Sequence, residues 1–342
     1  MKLVSFRSRS EAKAKPRIGV LLPDANTVAD LQTTAQHALN APLEYFVDML
    51  AFLEGGQEAH DQAARLAERA TEYAATHPVN TLVLLAPVPR PRSLRDVMGF
   101  PVHIHGAIKR AMESGHVTPE MAAQNEMFRA AMQRPLYYFS NTNSVTGHDS
   151  DIIIPTYTQR MDYELEFGVY IGTCGKNIAA KDAHRYIAGY TIYNDLSARD
   201  IQFDEMVGML GPAKGKSFDC GNAMGPYLVT ADEITDPYAL AMIARVNDEE
   251  WTRSNSSDQY WRYEETLEYI SRSETLYPGD FIASGTCSRG CGLELGKFLK
   301  AGDVVELEVE GLGMLRNRVV VSDTPFAPVP LRDPHQYIAE HG

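Results

Sequence analysis

The segment from Asp162 to Gly172, with the sequence DYELEFGVYIG, constrains the fold of this 342-residue chain more than any other feature. Its apolar residues alternate with polar ones, then run together and end at a glycine, which predicts a buried strand over Leu165–Ile171. Side chains two residues apart on a strand point to the same face, so Glu164 and Glu166 should lie side by side. Neighbouring carboxylates repel each other and are costly to take out of water. We therefore expect a cation between them, most simply a divalent metal ion, whereas a solvated edge strand is the alternative.

Composition excludes several classes of partner. The formal net charge of −13 argues against nucleic acid or an anionic membrane surface as a partner. The four cysteines form no C-x-x-C pair, so we expect free thiols in a reducing cytoplasm. The chain starts without the apolar stretch of a signal peptide, and no apolar run reaches membrane-spanning length. We expect a soluble, cytoplasmic protein.

The sequence divides at a proline-rich connector. Strand-like apolar runs at Leu3–Phe6 and Ile18–Leu22 are followed by helical spacing from about residue 42 to 77. Three prolines between residues 87 and 91 then form a stiff connector. We predict a small N-terminal β/α domain over 1–86 and a larger domain over 87–342.

The larger domain is predicted to be β-rich. Residues 104–134 have helical spacing, and shorter helices are expected at Asp182–Tyr186 and Tyr260–Ser271. Besides Leu165–Ile171, strand-like segments occur at Ile152–Ile154, Ala188–Tyr193, Tyr227–Val229, Leu240–Val246, Phe281–Ala283 and Val304–Val309. The spacing fits neither a repeat array nor a regular βαβ alternation, so the predicted class is α+β.

Three other polar segments follow apolar runs, where binding sites are commonly built. They are YNDLSARDIQ over residues 193–202, KGKSFDCGN over 214–222 and SGTC over 284–287. The first two have simpler explanations: Asp195 or Ser197 as a helix N-cap with Arg199 and Asp200 on a solvated face, and Lys216 as a surface charge. The SGT turn resembles a backbone anion-binding turn, which is a weak signal by itself. The N-cap explains one or two residues of the first segment, but not its whole polar cluster.

Taken together, these motifs resemble those of the fumarylacetoacetate hydrolase family. The ordered set DYELEFGV, NDLSARDIQ, GKSFD, SGT and GDVVELEVEGLG extends over roughly residues 80–320. The resemblance implies a catalytic C-terminal domain of the family's mixed β-sandwich or β-roll type, behind a small N-terminal β/α domain. It also implies a homodimer.

The resemblance also implies a metal site. The family's paired glutamates, downstream aspartate and upstream aspartate correspond to Glu164, Glu166, Asp195 and Asp96. Asp96 lies in the segment SLRDVMGF, which resembles the family's R-D-F-x-x-F segment. Four carboxylates suit a hard cation, with Mg²⁺ expected first and Mn²⁺ or Ca²⁺ as alternatives, whereas zinc favours nitrogen or sulfur ligands.

The catalytic residues implied by the resemblance are His103, Glu294 and Lys216. The family's histidine lies seven residues after the upstream aspartate, which selects His103 and leaves His105 as the alternative. The same comparison makes Glu294 the residue that orients the histidine, and the alternative for it is an exposed surface glutamate. The implied substrate-binding residues are Gln202, Arg199, Thr286 and Met206, of which Met206 replaces an aromatic residue of the best-known hydrolases.

The resemblance implies a hydrolase that cleaves a carbon–carbon bond in a 1,3-dicarbonyl compound of the acylpyruvate, fumarylacetoacetate or fumarylpyruvate type. A metal-stabilised enolate would leave, and the histidine would activate water. A lyase or isomerase of the same family is the main alternative: an oxaloacetate decarboxylase or tautomerase, a keto-acid hydratase or isomerase, or a sugar-acid dehydratase. A metal-stabilised binding protein without turnover is a further alternative.

Overall fold

The protein is a mixed, β-rich structure with open sheets, in agreement with the predicted α+β class. The computed structural model describes residues 1–11, 13–113, 118, 126–206 and 208–322. Within these residues the strands are β1 Lys2–Ser8, β2 Arg17–Leu21, β3 Thr27–Asp30, β4 Thr76–Pro78, β5 Leu82–Leu84, β6 Leu94–Val97, β7 Tyr137–Phe139, β8 Val145–Thr146, β9 Asp151–Ile154, β10 Met161–Asp162, β11 Leu165–Ile171, β12 Gly175–Lys176, β13 Ile187–Asp195, β14 Ser197–Ala198, β15 Asn222–Thr230, β16 Ala241–Val246, β17 Glu249–Asn255, β18 Thr275–Leu276, β19 Phe281–Ala283, β20 Val304–Val309 and β21 Gly313–Val321.

Helices connect many of these strands along the chain. The α-helices among the described residues are α1 Leu31–Leu39, α2 Met49–Glu54, α3 Gly56–Arg69, α4 Pro101–Glu113, α5 Glu126–Gln133, α6 Arg199–Met206, α7 Ala213–Lys216, α8 Tyr263–Ser271 and α9 Gly292–Leu295. None of the helices in the described ranges is long and apolar enough to cross a membrane.

One large sheet organises the molecule. Its strand order is β4-β3-β2-β1-β15-β13-β11-β19-β6-β7, with β5 added beside β1 and β8 beside β15. A second sheet has the order β17-β16-β20-β21-β9. Strand β1 pairs antiparallel with β15, so the N-terminal strands extend the sheet that contains the E-x-E strand. The division into domains 1–86 and 87–342 stays a prediction.

Strand β11 lies in the middle of the large sheet and is buried along its whole length. It pairs with β13 on one side and β19 on the other. Phe167 packs in one apolar core and Tyr170 in another, so both faces are covered. Gly168 is required here because a Cβ at this position would lie 2.2 Å from the Phe281 ring. The alternative of a solvated edge strand is therefore wrong.

The predicted strands of the larger domain are all present, with bounds shifted by a few residues. The helix predicted at Tyr260 begins at Tyr263, and Ala180–Tyr186 forms a 3₁₀ helix. The predicted helical stretch 104–134 contains α4 and α5, whereas residues 114–117 and 119–125 lie outside the described part of the chain. The strands after residue 86 that were not predicted are β6, β7, β8, β10, β12, β14, β17, β18 and β21. Most of them are two to four residues long, and β17 is largely polar, so they show no clear period of two. This reason does not apply to β21, which is nine residues long and ends in three valines.

Candidate metal centre and active site

Four buried carboxylates meet at the centre of the large sheet. Their ligand oxygens all lie within 4.8 Å of one another. Strand register brings Glu166 and Asp195 close together. Glu166 on β11 pairs with Tyr193 of β13, and Asp195 is the last residue of β13. We call the four residues the carboxylate cluster: Asp96, Glu164, Glu166 and Asp195.

The SGT turn and a tyrosine hold two members of the carboxylate cluster. The Gly285 amide donates to Glu166 Oε2 and the Thr286 hydroxyl to Glu166 Oε1, both at 3.1 Å. Gly285 has φ of 82°, and a Cβ there would lie 2.1 Å from the Val97 carbonyl oxygen, so only glycine fits this turn. The Tyr138 hydroxyl donates to Asp96 Oδ2 at 2.8 Å and also contacts Asp195.

Two buried cations enter the same region. Lys216 Nζ donates to Glu164 Oε2 at 2.5 Å and also contacts the Asp195 carboxylate. Arg199 Nη2 lies 2.7 Å from Glu164 Oε1 and 2.7 Å from Asp162 Oδ2. The four members of the carboxylate cluster and Asp162 therefore share one buried region in which the described residues supply only two permanent cations, Lys216 and Arg199. Because unpaired buried charge is costly, the residual negative charge calls for protons or a further cation.

The pKa values report this crowding. Burial and then the Asp195 carboxylate raise the pKa of Asp96 well above its ordinary value. Burial, followed by Asp96 and Asp195, does the same to the pKa of Glu166. Burial also acts to raise the pKa of Glu164, but its ion pairs with the two buried cations outweigh that effect, and the pKa is lowered. Part of the carboxylate cluster thus prefers to be neutral unless a positive ion joins it.

The carboxylate cluster fits a divalent metal ion. Asp96 Oδ1 is buried and has no hydrogen-bond partner, although buried carboxylate oxygens are normally satisfied. A metal ion would supply the missing partner. The donor set consists of oxygens alone, which suits Mg²⁺, Mn²⁺ or Ca²⁺.

A histidine and a glutamate form a pair beside the carboxylate cluster. His103 Nδ1 lies 2.8 Å from Glu294 Oε2, and its Nε2 lies 3.9 Å from Glu164 Oε1. The Glu294 side chain is only 5% exposed, so the alternative of a surface glutamate is wrong. His105 on the same helix is exposed and packs beside Phe128. We call His103 and Glu294 the dyad.

Local structure fixes both members of the dyad. His103 follows Pro101, which occupies the first position of α4, where a missing backbone N–H costs nothing. Glu294 lies on α9, whose first amides donate to Asp162: Gly292 N at 2.7 Å and Leu293 N at 2.9 Å. Asp162 therefore joins α9 to the strand that begins at Leu165.

Gly106 lies one turn after His103 and makes room for the dyad. A Cβ at this position would lie 2.3 Å from Glu294 Oε1. Alanine in a helix interior is worth about 1 kcal/mol over glycine, so Gly106→Ala should not lower the melting temperature. It should push the Glu294 carboxylate away from His103 and reduce kcat by about tenfold or more. Unchanged kcat in a stable variant would show that the dyad geometry does not limit turnover.

The sequence analysis did not assign roles to Asp162 and Tyr138. Asp162 could have been noticed, because it precedes Glu164 by two residues and extends the alternation of acidic side chains. Tyr138 had no local signal, since its contact with Asp96 spans 42 residues of sequence and depends on the pairing of β6 with β7.

A cavity of about 240 Å³ opens over the carboxylate cluster and the dyad. Gln202 and Met206 of α6 line it, and Gln202 Oε1 accepts from Arg199 at 2.9 Å. Arg199 and Lys216 also line the cavity, and both form ion pairs with the Glu164 carboxylate. The apolar residues that line the cavity include Ile104, Ala107, Ile108, Met127, Phe203, Met206 and Leu293. The structure thus brings all eleven predicted site residues to one place, while their individual roles stay predictions.

Comparisons with known proteins identify the family to which this chain is similar. The family model described as Fumarylacetoacetate (FAA) hydrolase C-terminal matches residues 108–320. Oxaloacetate tautomerase FAHD2A, mitochondrial, of Bos taurus is 39% identical over 192 residues, which make up 55% of this chain and 60% of that protein. Oxaloacetate tautomerase fahd2, mitochondrial, of Xenopus laevis is 32% identical over 323 residues, 94% of this chain and 90% of that protein.

A solved structure matches over a similar extent. Fumarylacetoacetate hydrolase (EaFAH) from the psychrophilic Exiguobacterium antarcticum has a TM-score of 0.71 and 26% sequence identity, covering 94% of this chain and 100% of that chain. The matched region of the family model contains Glu164, Glu166, Asp195 and Glu294, and the two longer matches extend over nearly the whole chain.

Proposed function

Because this chain belongs to the fumarylacetoacetate hydrolase family, we propose that it is a divalent-metal-dependent hydrolase that cleaves a carbon–carbon bond in a 1,3-dicarbonyl acid of the acylpyruvate type. One observation carries the proposal. The His103 Nδ1–Glu294 Oε2 contact of 2.8 Å turns Nε2 toward the carboxylate cluster, so a base faces the position that a metal-bound substrate would take. The proposal keeps Mg²⁺ as the first candidate.

The carboxylate cluster is proposed as the metal site. A divalent cation held there would act as a Lewis acid on the oxygens of a 2-oxo acid. The remaining steps belong to the protein's own side chains. Glu294 accepts a hydrogen bond from the Nδ1–H of His103, which leaves the lone pair on Nε2. The same carboxylate later stabilises the imidazolium.

His103 Nε2 is proposed to take a proton from water, and the resulting hydroxide attacks the distal carbonyl carbon of the substrate. The carbon–carbon bond then breaks, its electron pair passes to the 2-oxo acid fragment, and that carbon takes a proton. The products are a carboxylic acid and pyruvate or a related 2-oxo acid. Lys216 and Gln202 would stabilise the developing oxyanion, and Thr286 would position the substrate carboxylate.

The apolar residues that line the cavity favour a substrate whose acyl group is uncharged. Among the described residues that line the cavity, the basic ones are His103, Arg199 and Lys216, and the last two are paired with carboxylates. A second carboxylate, as in oxaloacetate, would meet no unpaired cation among these described lining residues, which is costly.

Oxaloacetate tautomerisation is the second candidate. It is favoured by the Xenopus laevis relative of that name, which matches 94% of this chain. The same dyad would move a proton at the carbon between the two carbonyl groups, with no water consumed and no carbon–carbon bond broken. Both candidates require the carboxylate cluster and the base.

One assay separates the candidates. Purified protein with Mg²⁺ is incubated with acetylpyruvate and, separately, with oxaloacetate, while enol absorbance and product NMR spectra are followed. Hydrolysis predicts stoichiometric acetate and pyruvate from acetylpyruvate. Faster keto–enol exchange of oxaloacetate, without any cleavage of acetylpyruvate, would establish tautomerisation instead. No reaction with either substrate, or with a wider set of acylpyruvates and β-diketones, would contradict both. The predicted homodimer and cytoplasmic location stay predictions, and light scattering can check the first.

A further inference from the structure

We infer that His103, Cys291 and Glu294 form a second metal site, selective for a thiophilic divalent ion such as Zn²⁺ and distinct from the carboxylate cluster. One ligand atom from each of the three residues lies within 4.8 Å of the others. Cys291 is fully buried, and the proposed hydrolysis gives it no role. The metal binding does not depend on the proposed function, whereas its inhibitory effect does.

The distances among the three donors match those around a tetrahedral zinc ion. Cys291 Sγ lies 4.0 Å from His103 Nδ1 and 3.6 Å from Glu294 Oε2, and the two latter atoms are 2.8 Å apart. Zinc bonds of about 2.3 Å to sulfur and about 2.0 Å to nitrogen or oxygen imply ligand separations of roughly 3.3–3.6 Å. Shifts of about half an ångström would therefore suffice, and the ion would replace the proton that His103 and Glu294 now share.

The donor set distinguishes this site from the carboxylate cluster. Sulfur, nitrogen and one carboxylate oxygen favour Zn²⁺, whereas four carboxylates favour Mg²⁺. Three protein ligands leave a fourth position for water, the usual arrangement of an open zinc site. His103 lines the cavity, which provides the path of entry. Coordination converts the Cys291 thiol to a thiolate, and its proton passes to solvent.

Occupation of this site would switch off the dyad. Zinc on Nδ1 would take the place of the hydrogen bond to Glu294, and the one proton of the neutral ring would move to Nε2. Nε2 would then have no lone pair with which to accept a proton from water. Zinc should therefore inhibit turnover even when Mg²⁺ saturates the carboxylate cluster. A thiophilic ion, whether a contaminant or a regulator, would therefore inhibit turnover by binding to the catalytic base.

Cobalt tests the site without reference to activity. Co²⁺ bound to a thiolate gives a near-ultraviolet charge-transfer band, which carboxylate-bound Co²⁺ does not. With excess Mg²⁺ present, wild-type protein should show this band at one Co²⁺ per chain, and Zn²⁺ should abolish it. Cys291→Ser should lack the band, while Cys287→Ser, which replaces another fully buried cysteine, should retain it. His103→Ala, a change at a partly exposed side chain, should weaken Co²⁺ binding by about tenfold or more.

Inhibition provides the functional readout. The Zn²⁺ concentration that halves activity should rise by about tenfold or more in Cys291→Ser and stay unchanged in Cys287→Ser. Absence of a thiolate band in the wild type, or a band that survives Cys291→Ser, would overturn the site. A band that depends on Cys291 in a protein without any turnover would keep the metal site and reject the proposed hydrolase.

Discussion

Glu166→Gln should abolish metal binding and reduce kcat by at least about a thousandfold, since the metal's Lewis-acid contribution is worth several kcal/mol and each 1.4 kcal/mol is tenfold in rate. Glu166 and Asp195 are the two fully buried members of the carboxylate cluster. The two oxygens of Glu166 are fixed by the Gly285 amide and the Thr286 hydroxyl. The amide of glutamine would present a donor where the metal ion needs an acceptor, and it would also remove one negative charge.

Thermal unfolding gives an independent readout of the same substitution. Mg²⁺ at about a hundred times its Kd should stabilise wild-type protein by about 2.7 kcal/mol, and Glu166→Gln should lose this gain. In chelator at pH 7 the variant should be no less stable than the wild type. The reason is that a neutral amide replaces a buried carboxyl group whose pKa is raised by burial and by Asp96 and Asp195. A raised pKa means that the wild-type group contributes stability only at low pH and loses it as the pH rises.

Glu58→Gln supplies the matched control, because Glu58 is exposed on α3, away from the carboxylate cluster. It should leave the Mg²⁺-dependent rise in melting temperature and the kcat unchanged. A Glu166→Gln protein that still gains stability from Mg²⁺ and still turns over would contradict the metal assignment.

His103→Ala should reduce acylpyruvate cleavage by about 10²–10⁴-fold, the range expected for loss of a general base. Metal binding should survive, since His103 is not proposed as a ligand of the carboxylate cluster. Glu294→Gln should resemble His103→Ala, because the amide favours the wrong tautomer and the two residues act as a unit. kcat at saturating Mg²⁺ and the Mg²⁺-dependent melting temperature separate chemistry from metal binding.

His105→Ala is the control for this series. His105 lies on the same helix but is exposed beside Phe128, so its removal should change kcat only slightly. If His103→Ala left cleavage intact while Lys216→Met removed it, the water-activating dyad would be misassigned. A decarboxylation, which needs the metal ion as electron sink but neither activated water nor a histidine base, would then replace hydrolysis as the proposed reaction.

The local part of the site could be predicted from sequence. The E-x-E motif, its strand and its adjacent polar segments are all short-range patterns, and a strand's period of two already places Glu164 and Glu166 on one face. The ordered motifs of the family supplied Asp96 and Glu294, which no local pattern would have linked. In the structure Asp96 reaches the site because β6 pairs in parallel with β19, next to β11.

The long-range part could not be predicted. The sequence predicted a buried strand at Leu165–Ile171, but it did not predict which strands would surround it. In the structure, strands from distant parts of the chain build one sheet around β11. The pairing of Lys2 with Val229 is a contact of this kind, to which the local sequence gives no clue. The same holds for Cys291, which was classed only as a free thiol and proves to lie beside the dyad.

Activity after exhaustive chelation tests the central claim most directly. Wild-type protein treated with EDTA and freed of it should lose cleavage of its acylpyruvate substrate, and titration with Mg²⁺ should restore full activity at one ion per carboxylate cluster. Glu166→Gln treated in the same way should show no recovery. Full activity of the wild type after complete removal of divalent ions would contradict the claim that the buried carboxylates are there to hold a catalytic metal.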